Sequence, residues 1–374
     1  MLLDIENLTL HLPGAARPLL ADVSLQVRTG EVVGLVGESG SGKSTTAKTA
    51  LRILPEGARA QGKVLVDGVD VLSMTDARLR DHRARTVAMV HQDPRSALNP
   101  VRRIGDFLIE RLVRTGTGTG TGTGDKRAAR TKAVELLDAV GISDPERRIR
   151  QRPHEMSGGM LQRVVIAGAL ATEPRLLLAD ESTSALDVTT QAEILALLRS
   201  LRERRELGLL FITHDLHLAA AYCDRVYVMY AGRVVEQQSA HRLFAHAQHP
   251  YTRGLLDCSP ALGDTTRTLH PIPGRPPSLA DSFTGCPFSA RCPYTESACE
   301  TWIPQPIPVP GGGTAACRRL PDLPDASDAS DVSAEPTGQP SHNSHEDPNG
   351  GDAPAEASVS PAAVPSPLAK RSTP

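Results

Sequence analysis

Apolar positions in the first 36 residues come in short runs, Leu2–Leu12, Leu19–Val27 and Glu31–Val36, broken at Pro13-Gly14 and Thr29-Gly30. Runs of that length between turn residues predict three strands. A helix is expected from Ser44 to Leu54, stopped by Pro55 and Gly57. Lys63–Val66 and Thr86–Val90 predict further strands. Lys126–Val140 sets Val134, Leu137 and Val140 at helical spacing, and another helix is expected from Gly159 to Leu170. Arg175–Ala179 and Leu209–Thr213 are continuous apolar runs, as the buried strands of a parallel sheet require. Between them Ile194, Leu198 and Leu201 mark one face of a helix, with Gly208 as its stop. Val226–Tyr230 and Val234–Gln237, joined through Ala231-Gly232-Arg233, predict a hairpin. Strands alternating with helices make this an α/β sheet fold.

Two segments break the pattern. Thr115–Gly124 alternates Thr and Gly, and glycine at every second place offers a strand nothing to pack, so a flexible loop is expected. After Leu320 large apolar residues almost vanish, and the segment 321–374 is expected to be disordered. The rest is ordinary globular composition: 374 residues, 40% hydrophobic and 22% charged. A net charge of −2 gives no bulk footprint for nucleic acid, so none is expected as a partner. Met1–Glu6 lacks the basic head and apolar run of a signal peptide, and no apolar run is long enough to span a bilayer. Any membrane part is expected from other subunits.

The sharpest local signal is Gly37-Glu38-Ser39-Gly40-Ser41-Gly42-Lys43-Ser44, followed by Thr45. It fits G-x-x-x-x-G-K-[ST] between an apolar strand and a helix, the context of a phosphate-binding loop. Its glycines let backbone amides turn inward around a phosphate, Lys43 reaches the terminal phosphates, and the Ser44 hydroxyl joins a Mg²⁺ shell. This predicts ATP and Mg²⁺. Further on, Leu176-Leu177-Leu178-Ala179-Asp180-Glu181 places two carboxylates where a buried strand ends, the edge at which open α/β sheets bind ligands. Asp180 suits Mg²⁺, and Glu181 suits polarising an attacking water.

Cys286, Cys292, Cys299 and Cys317 crowd one late segment, separated by five, six and seventeen residues. Four thiolates suit Zn²⁺ or an iron–sulfur cluster, although the spacing is not that of common zinc ribbons. Cys223 and Cys258 stand apart and are expected to be small buried hydrophobes.

Between the two nucleotide elements lies His154-Glu155-Met156-Ser157-Gly158-Gly159-Met160-Leu161-Gln162-Arg163, which resembles the signature of ABC ATPases. The resemblance implies a P-loop core of ABC type, with an antiparallel β subdomain and an α-helical subdomain carrying the signature. It implies a head-to-tail dimer in which Ser157, Gly158 and Gly159 close over the partner's γ-phosphate. It makes Gln92 the glutamine that touches Mg²⁺ or the attacking water, Asp187 part of the loop joining two protomers, and His214 the histidine that contacts the γ-phosphate. One branch, the oligopeptide/dipeptide importers, is matched further by Val228–Glu236, His249-Pro250-Tyr251-Thr252-Arg253, Ile272-Pro273-Gly274, and the Gly285–Pro293 stretch. This implies an ATPase on the cytoplasmic face of the membrane, a second ATPase subunit, two membrane-spanning permease subunits and, indirectly, an extracytoplasmic solute-binding protein. It also favours [4Fe–4S] over zinc at the four cysteines.

Two places depart from the family pattern: Leu12, after His11, stands where an aromatic usually stacks on adenine, and Ser182 follows Glu181 in place of proline. They motivate one alternative, a regulatory module with little hydrolysis. A soluble ABC ATPase acting on DNA or ribosomes is the other. The expected organisation is an ATPase domain over 1–245, with its helical subdomain near 92–170, then a cysteine-bearing segment over 246–320. Because the phosphate loop is distant in sequence, changing Cys292 to Ser is expected to leave ATP binding in place.

Overall fold

In the computed structural model residues 1–116, 126–181, 187–258 and 271–323 are described. The Thr-Gly run from 117, Ser182, the stretch Ser184-Ala185-Leu186 and the tail beyond 323 lie outside them. The described residues all belong to one compact unit.

Two sheets build it. The larger orders its strands Ile307–Pro308, Thr314–Ala315, Arg233–Ser239, Arg225–Tyr230, Val32–Val36, Gly208–Ile212, Leu176–Asp180 and Val87–Val90. From Arg225–Tyr230 to Val87–Val90 neighbours run parallel. The hairpin partner Arg233–Ser239 turns back antiparallel. The second sheet orders Leu20–Val27, Leu3–His11, Arg59–Val66 and Val69–Asp70, all antiparallel. The α/β core and its antiparallel β subdomain are therefore both present.

The parallel strands are buried on both faces, which is why their sequences are continuous apolar runs. Their side chains alternate between two cores. Val33, Leu35, Leu176, Leu178, Leu210 and Ile212 pack toward the antiparallel sheet. Val32, Val36, Leu177, Ala179, Leu209 and Phe211 pack toward the helices. Removing a ring as buried as Phe211 costs about 3–5 kcal/mol. The helices Ile104–Thr115, Lys126–Ala139 and Gly158–Leu170 pack on one another, and the last also rests on Val87–Val90.

Some expectations shift. The helix expected over Ser44–Leu54 is Lys43–Thr49, because residues 50–52 tighten onto carbonyls three back and Arg52 turns left-handed at φ 48°. Carbonyls left free at its end are taken by side chains of Asp76–Arg85: His82 Nε2 lies 2.8 Å from Ala50 O and Arg83 Nε 2.7 Å from Leu51 O. That second helix carries no apolar stripe to predict it from, and only its Thr75 cap marks its start. The helix Val188–Arg205 ends at Glu206, left-handed at φ 51°, and Gly208 instead opens the next strand. Cys223 is buried as expected, whereas Cys258 is only half-buried.

The late segment is not apart from the core in space. Thr314–Ala315 pairs with Gln237 and Glu236 and so extends the main sheet. The helix Pro250–Asp257 sends fully buried Tyr251 into the same core as the parallel strands. No described helix is long and apolar enough to cross a membrane.

Candidate functional site

Register brings the predicted residues to one edge. Leu35 pairs with Ile212 and Asp180 pairs with Ile212, so the strands Val32–Val36, Gly208–Ile212 and Leu176–Asp180 end level. The phosphate loop, Asp180-Glu181 and Thr213-His214 leave the sheet there together, at its carboxyl edge.

The loop is shaped to receive an anion. Gly37 sits at φ 145°, and a Cβ there would come within 2.2 Å of Met229 O, so the loop lies against the hairpin strand too closely for any other residue. Gly232 N donates to Ser41 O from the same hairpin. The Ser41 hydroxyl is buried with no hydrogen-bond partner among the described residues, an orphan that a phosphate oxygen would satisfy. Lys43 Nζ donates to Gly37 O at 2.7 Å and Glu38 O at 2.9 Å, which folds its ammonium over the loop. Burial lowers the Lys43 pKa, while Glu181, Asp180 and Glu38 pull it back up.

Ser44 Oγ donates to buried Asp180 Oδ1 at 2.7 Å, a hydroxyl and a carboxylate placed as hard-oxygen ligands for Mg²⁺. Glu181 follows at φ 46°, left-handed, with its amide tied to Ile212 O. Its carboxylate is held on two sides: Gln92 Nε2 donates to Oε2 at 3.0 Å, and His214 Nδ1 stands 3.7 Å from the same oxygen. An acid held this way, beside a cation site and an anion cradle, can orient a water for in-line attack. The residues thus fit MgATP. Thr45 lies in the short helix after Lys43.

The signature residues stand elsewhere. Ser157 caps the helix Gly158–Leu170, accepting from Met160 N at 3.3 Å. Ser157 and Gly158 are exposed. Gly159 lies against the start of Val188–Arg205, where a Cβ would meet Thr190 Cγ2 at 2.7 Å. That start is capped by Asp187, which accepts from Thr190 N and Thr190 Oγ1; these bonds hold its carboxyl below the usual range.

Four predicted cysteines meet. Cys286, Cys292, Cys299 and Cys317 line one cavity with His249 and Phe288, and all four are free thiols. Burial pushes Cys286 up to about 11 and Cys292 up to about 12, and the neighbouring sulfurs push the same way. Among the described residues no group of three or more His, Cys, Asp or Glu is placed to hold a metal ion. The donor chemistry of four thiols suits iron–sulfur or zinc, and only the C-x₂-C spacing of common zinc ribbons is missing. The cavity is thiol-lined rather than a formed metal centre.

Sequence reasoning missed what holds Glu38. Arg291 Nη1 and Nη2 reach its two carboxylate oxygens at 2.7 and 2.9 Å, and Tyr251 Oη accepts from Glu38 N at 2.9 Å. The signal was available: an acid inside a phosphate loop opposes its ligand unless a cation answers it. Arg17 was missed too. It donates to Ser278 O, Pro277 O and Ala231 O, beside a cleft lined by Leu19, Ser39–Ser41 and Pro276–Leu279. Leu12 is not in that lining.

The sequence pattern of the ABC transporter family matches residues 20–184, and that of the oligopeptide/dipeptide transporter C-terminal region matches 235–299. A probable peptide ABC transporter ATP-binding protein of Sinorhizobium fredii is 43% identical over 325 residues, 85% of this chain and 95% of that protein. The chain belongs to the ABC transporter family of ATP-binding proteins. The oligopeptide transport ATP-binding protein OppD of Mycobacterium tuberculosis is 46% identical over 321 residues. This ABC chain spans about half of that relative's length, 52%, while 85% of the chain is matched. Among solved structures, a bacterial ABC transporter cassette determined as a dimer superposes at a TM-score of 0.56 with 28% identity, over 64% of this chain and 98% of that one. The same fold was solved in a post-hydrolysis state with ADP and Pi, at a TM-score of 0.55.

Proposed function

We propose that this ABC chain hydrolyses ATP to energise an importer for di- and oligopeptides through two separate membrane-spanning permease subunits. The observation that carries the chemistry is the Gln92–Glu181–His214 constellation beside Ser44–Asp180. Residues 37–45 hold the phosphates, and Ser44, Asp180 and Gln92 serve the Mg²⁺ that neutralises charge on them. Glu181 takes the proton of the attacking water, and Gln92 and His214 set its orientation. Ser157, Gly158 and Gly159 close over the nucleotide of a second ATPase subunit, with Asp187 at the joint. The match over 235–299 supports peptides as cargo, delivered by an extracytoplasmic binding protein, with this subunit on the cytoplasmic face.

The four-cysteine cavity, in this reading, takes a [4Fe–4S] cluster or Zn²⁺. Its support is the convergence of four sulfurs on one cavity. Stoichiometric zinc without iron in anaerobically purified protein overturns the cluster, and absence of both metals overturns either.

ATP turnover by the purified chain, together with peptide uptake by cells carrying or lacking its gene, tests the main reading. Turnover that depends on Mg²⁺, with uptake lost on deletion, is the expected result. Turnover with unchanged uptake would remove the peptide assignment and leave the ATPase.

A further inference from the structure

The phosphate loop is not held by the nucleotide core alone. Glu38 is gripped at three points, two of them from the late cysteine-bearing part of the chain. Its carboxylate takes both arms of the Arg291 guanidinium at 2.7 and 2.9 Å. Its amide donates to Tyr251 Oη at 2.9 Å. Its carbonyl accepts from Lys43 Nζ at 2.9 Å.

Arg291 is itself fixed. Its side chain is 6% exposed, Nε donates to Pro273 O at 2.8 Å, and Nη1 also reaches Tyr230 Oη at 3.2 Å. The rings of Tyr230, Tyr251 and Phe288 pack on one another with centroids 4.6 to 5.4 Å apart, and the guanidinium lies over the Tyr230 and Phe288 rings. Phe288 also lines the thiol cavity, and Cys292 follows Arg291 in the chain. A two-armed arginine–carboxylate pair fixes direction as well as distance. With that pair in place, the Glu38 carbonyl is presented to Lys43 and the carboxylate is turned to Arg291, where its charge is answered by a cation.

We infer that Arg291 is a positioning residue for the phosphate loop, through which the cysteine-bearing segment sets affinity for ATP. Arg291 touches no phosphate; it acts through Glu38. Breaking the pair frees the carboxylate to oppose the incoming phosphates and loosens the carbonyl that orients Lys43. The chemistry at Glu181 lies on another strand end and is left as it was.

The test measures the Kd of a fluorescent ATP analogue and kcat at saturating MgATP on the full purified chain. Arg291→Met is expected to weaken binding about tenfold, the lower end of what a hydrogen bond to a charged group carries, with kcat within about threefold. Arg291→Lys, which keeps charge and loses the fork, should fall between. Glu38→Gln sits outside the thiol cavity and keeps the hydrogen-bonding shape, so it tests the same link if the arginine variants fold poorly. It too should weaken binding, and Glu38→Gln combined with Arg291→Met should be no worse than the poorer single variant. Unchanged Kd in folded Arg291→Met or in Glu38→Gln overturns the inference. So does a double variant whose loss equals the product of the two singles, or a loss in kcat with Kd intact.

Discussion

The phosphate loop and the helix start proposed to face a second subunit's nucleotide differ in how much of the work the chain finishes alone. At the loop, Lys43, Ser44, Gln92 and Glu181 are bonded within the chain, and the Ser41 hydroxyl waits buried for an acceptor. At the signature, Ser157 and Gly158 are exposed, and a Cβ on Gly158 would touch nothing within 4 Å. One is a cradle and the other is a surface. A cradle can bind its ligand as a monomer, whereas a surface of that kind contributes only when a second body is brought against it.

The largest effect belongs to the cradle. Glu181→Gln keeps a side chain that Gln92 and His214 can still hold but removes the base, so turnover should fall roughly 10²–10⁴-fold while ATP still binds. Near-normal hydrolysis in that variant would move the base elsewhere. Lys43→Ala removes the ammonium that folds over the loop, and nucleotide affinity should drop about 10- to 100-fold, the worth of a charge-assisted bond. Fluorescence titration with the ATP analogue reads this directly, and retained affinity would sink the reading of the loop.

Much of the cradle was legible from sequence because its residues announce themselves by local spacing. Gly37–Ser44 is contiguous, the run Glu31–Val36 before it predicted a strand, and the apolar runs Arg175–Ala179 and Leu209–Thr213 predicted buried strands of a parallel sheet. That the strands end level is set by the register of the folded sheet, which the apolar runs alone do not fix. The grip on Glu38 was not legible, since Arg291 stands 253 positions away and only the fold brings them together. Helix boundaries missed for a different reason. The helix after the loop stops at Thr49, where residues 50–52 tighten onto carbonyls three back, and His82 and Arg83 take the Ala50 and Leu51 carbonyls beyond it, a tertiary event with no mark in its own sequence. The cysteines fall between the two cases: their clustering predicted that they meet, and nothing in their spacing foretold sulfurs that line a cavity without ligand geometry.

The surface half of the comparison gives a smaller effect with a distinct signature. Ser157→Gly removes the hydroxyl while keeping a helix start nearly as good, since glycine at that cap costs only a few tenths of a kcal/mol more than serine. If the hydroxyl meets a phosphate on a second subunit, turnover should fall about tenfold, the value of one hydrogen bond to a charged group. ATP binding to the isolated chain should stay unchanged. Weaker binding by the monomer would place the signature in the chain's own site and erase the contrast between cradle and surface.

The smallest expected effect probes how firmly the late segment is seated on the core. His249 is buried at the junction, where its Nδ1 accepts from Tyr251 N at 3.1 Å and its own amide donates to Glu236 Oε2 at 2.9 Å. Burial lowers its pKa from 6.5 to about 3, so the folded protein keeps the ring neutral over a range in which the unfolded chain protonates it. The depressed pKa means stability is fully present above 6.5 and is lost as pH falls toward 3. At pH 5.5 the loss from this one group is about 1.4 kcal/mol, a tenfold shift in the folding equilibrium. His249→Gln, which offers an amide oxygen where Nδ1 accepts, should flatten that part of the curve relative to the parent in denaturant titrations at pH 7 and 5.5. Because Tyr251 is the next residue but one and holds the Glu38 amide, acid should also weaken ATP binding in the parent more than in the variant. Parallel pH curves for the two proteins would show that the junction does not depend on a neutral ring at this position.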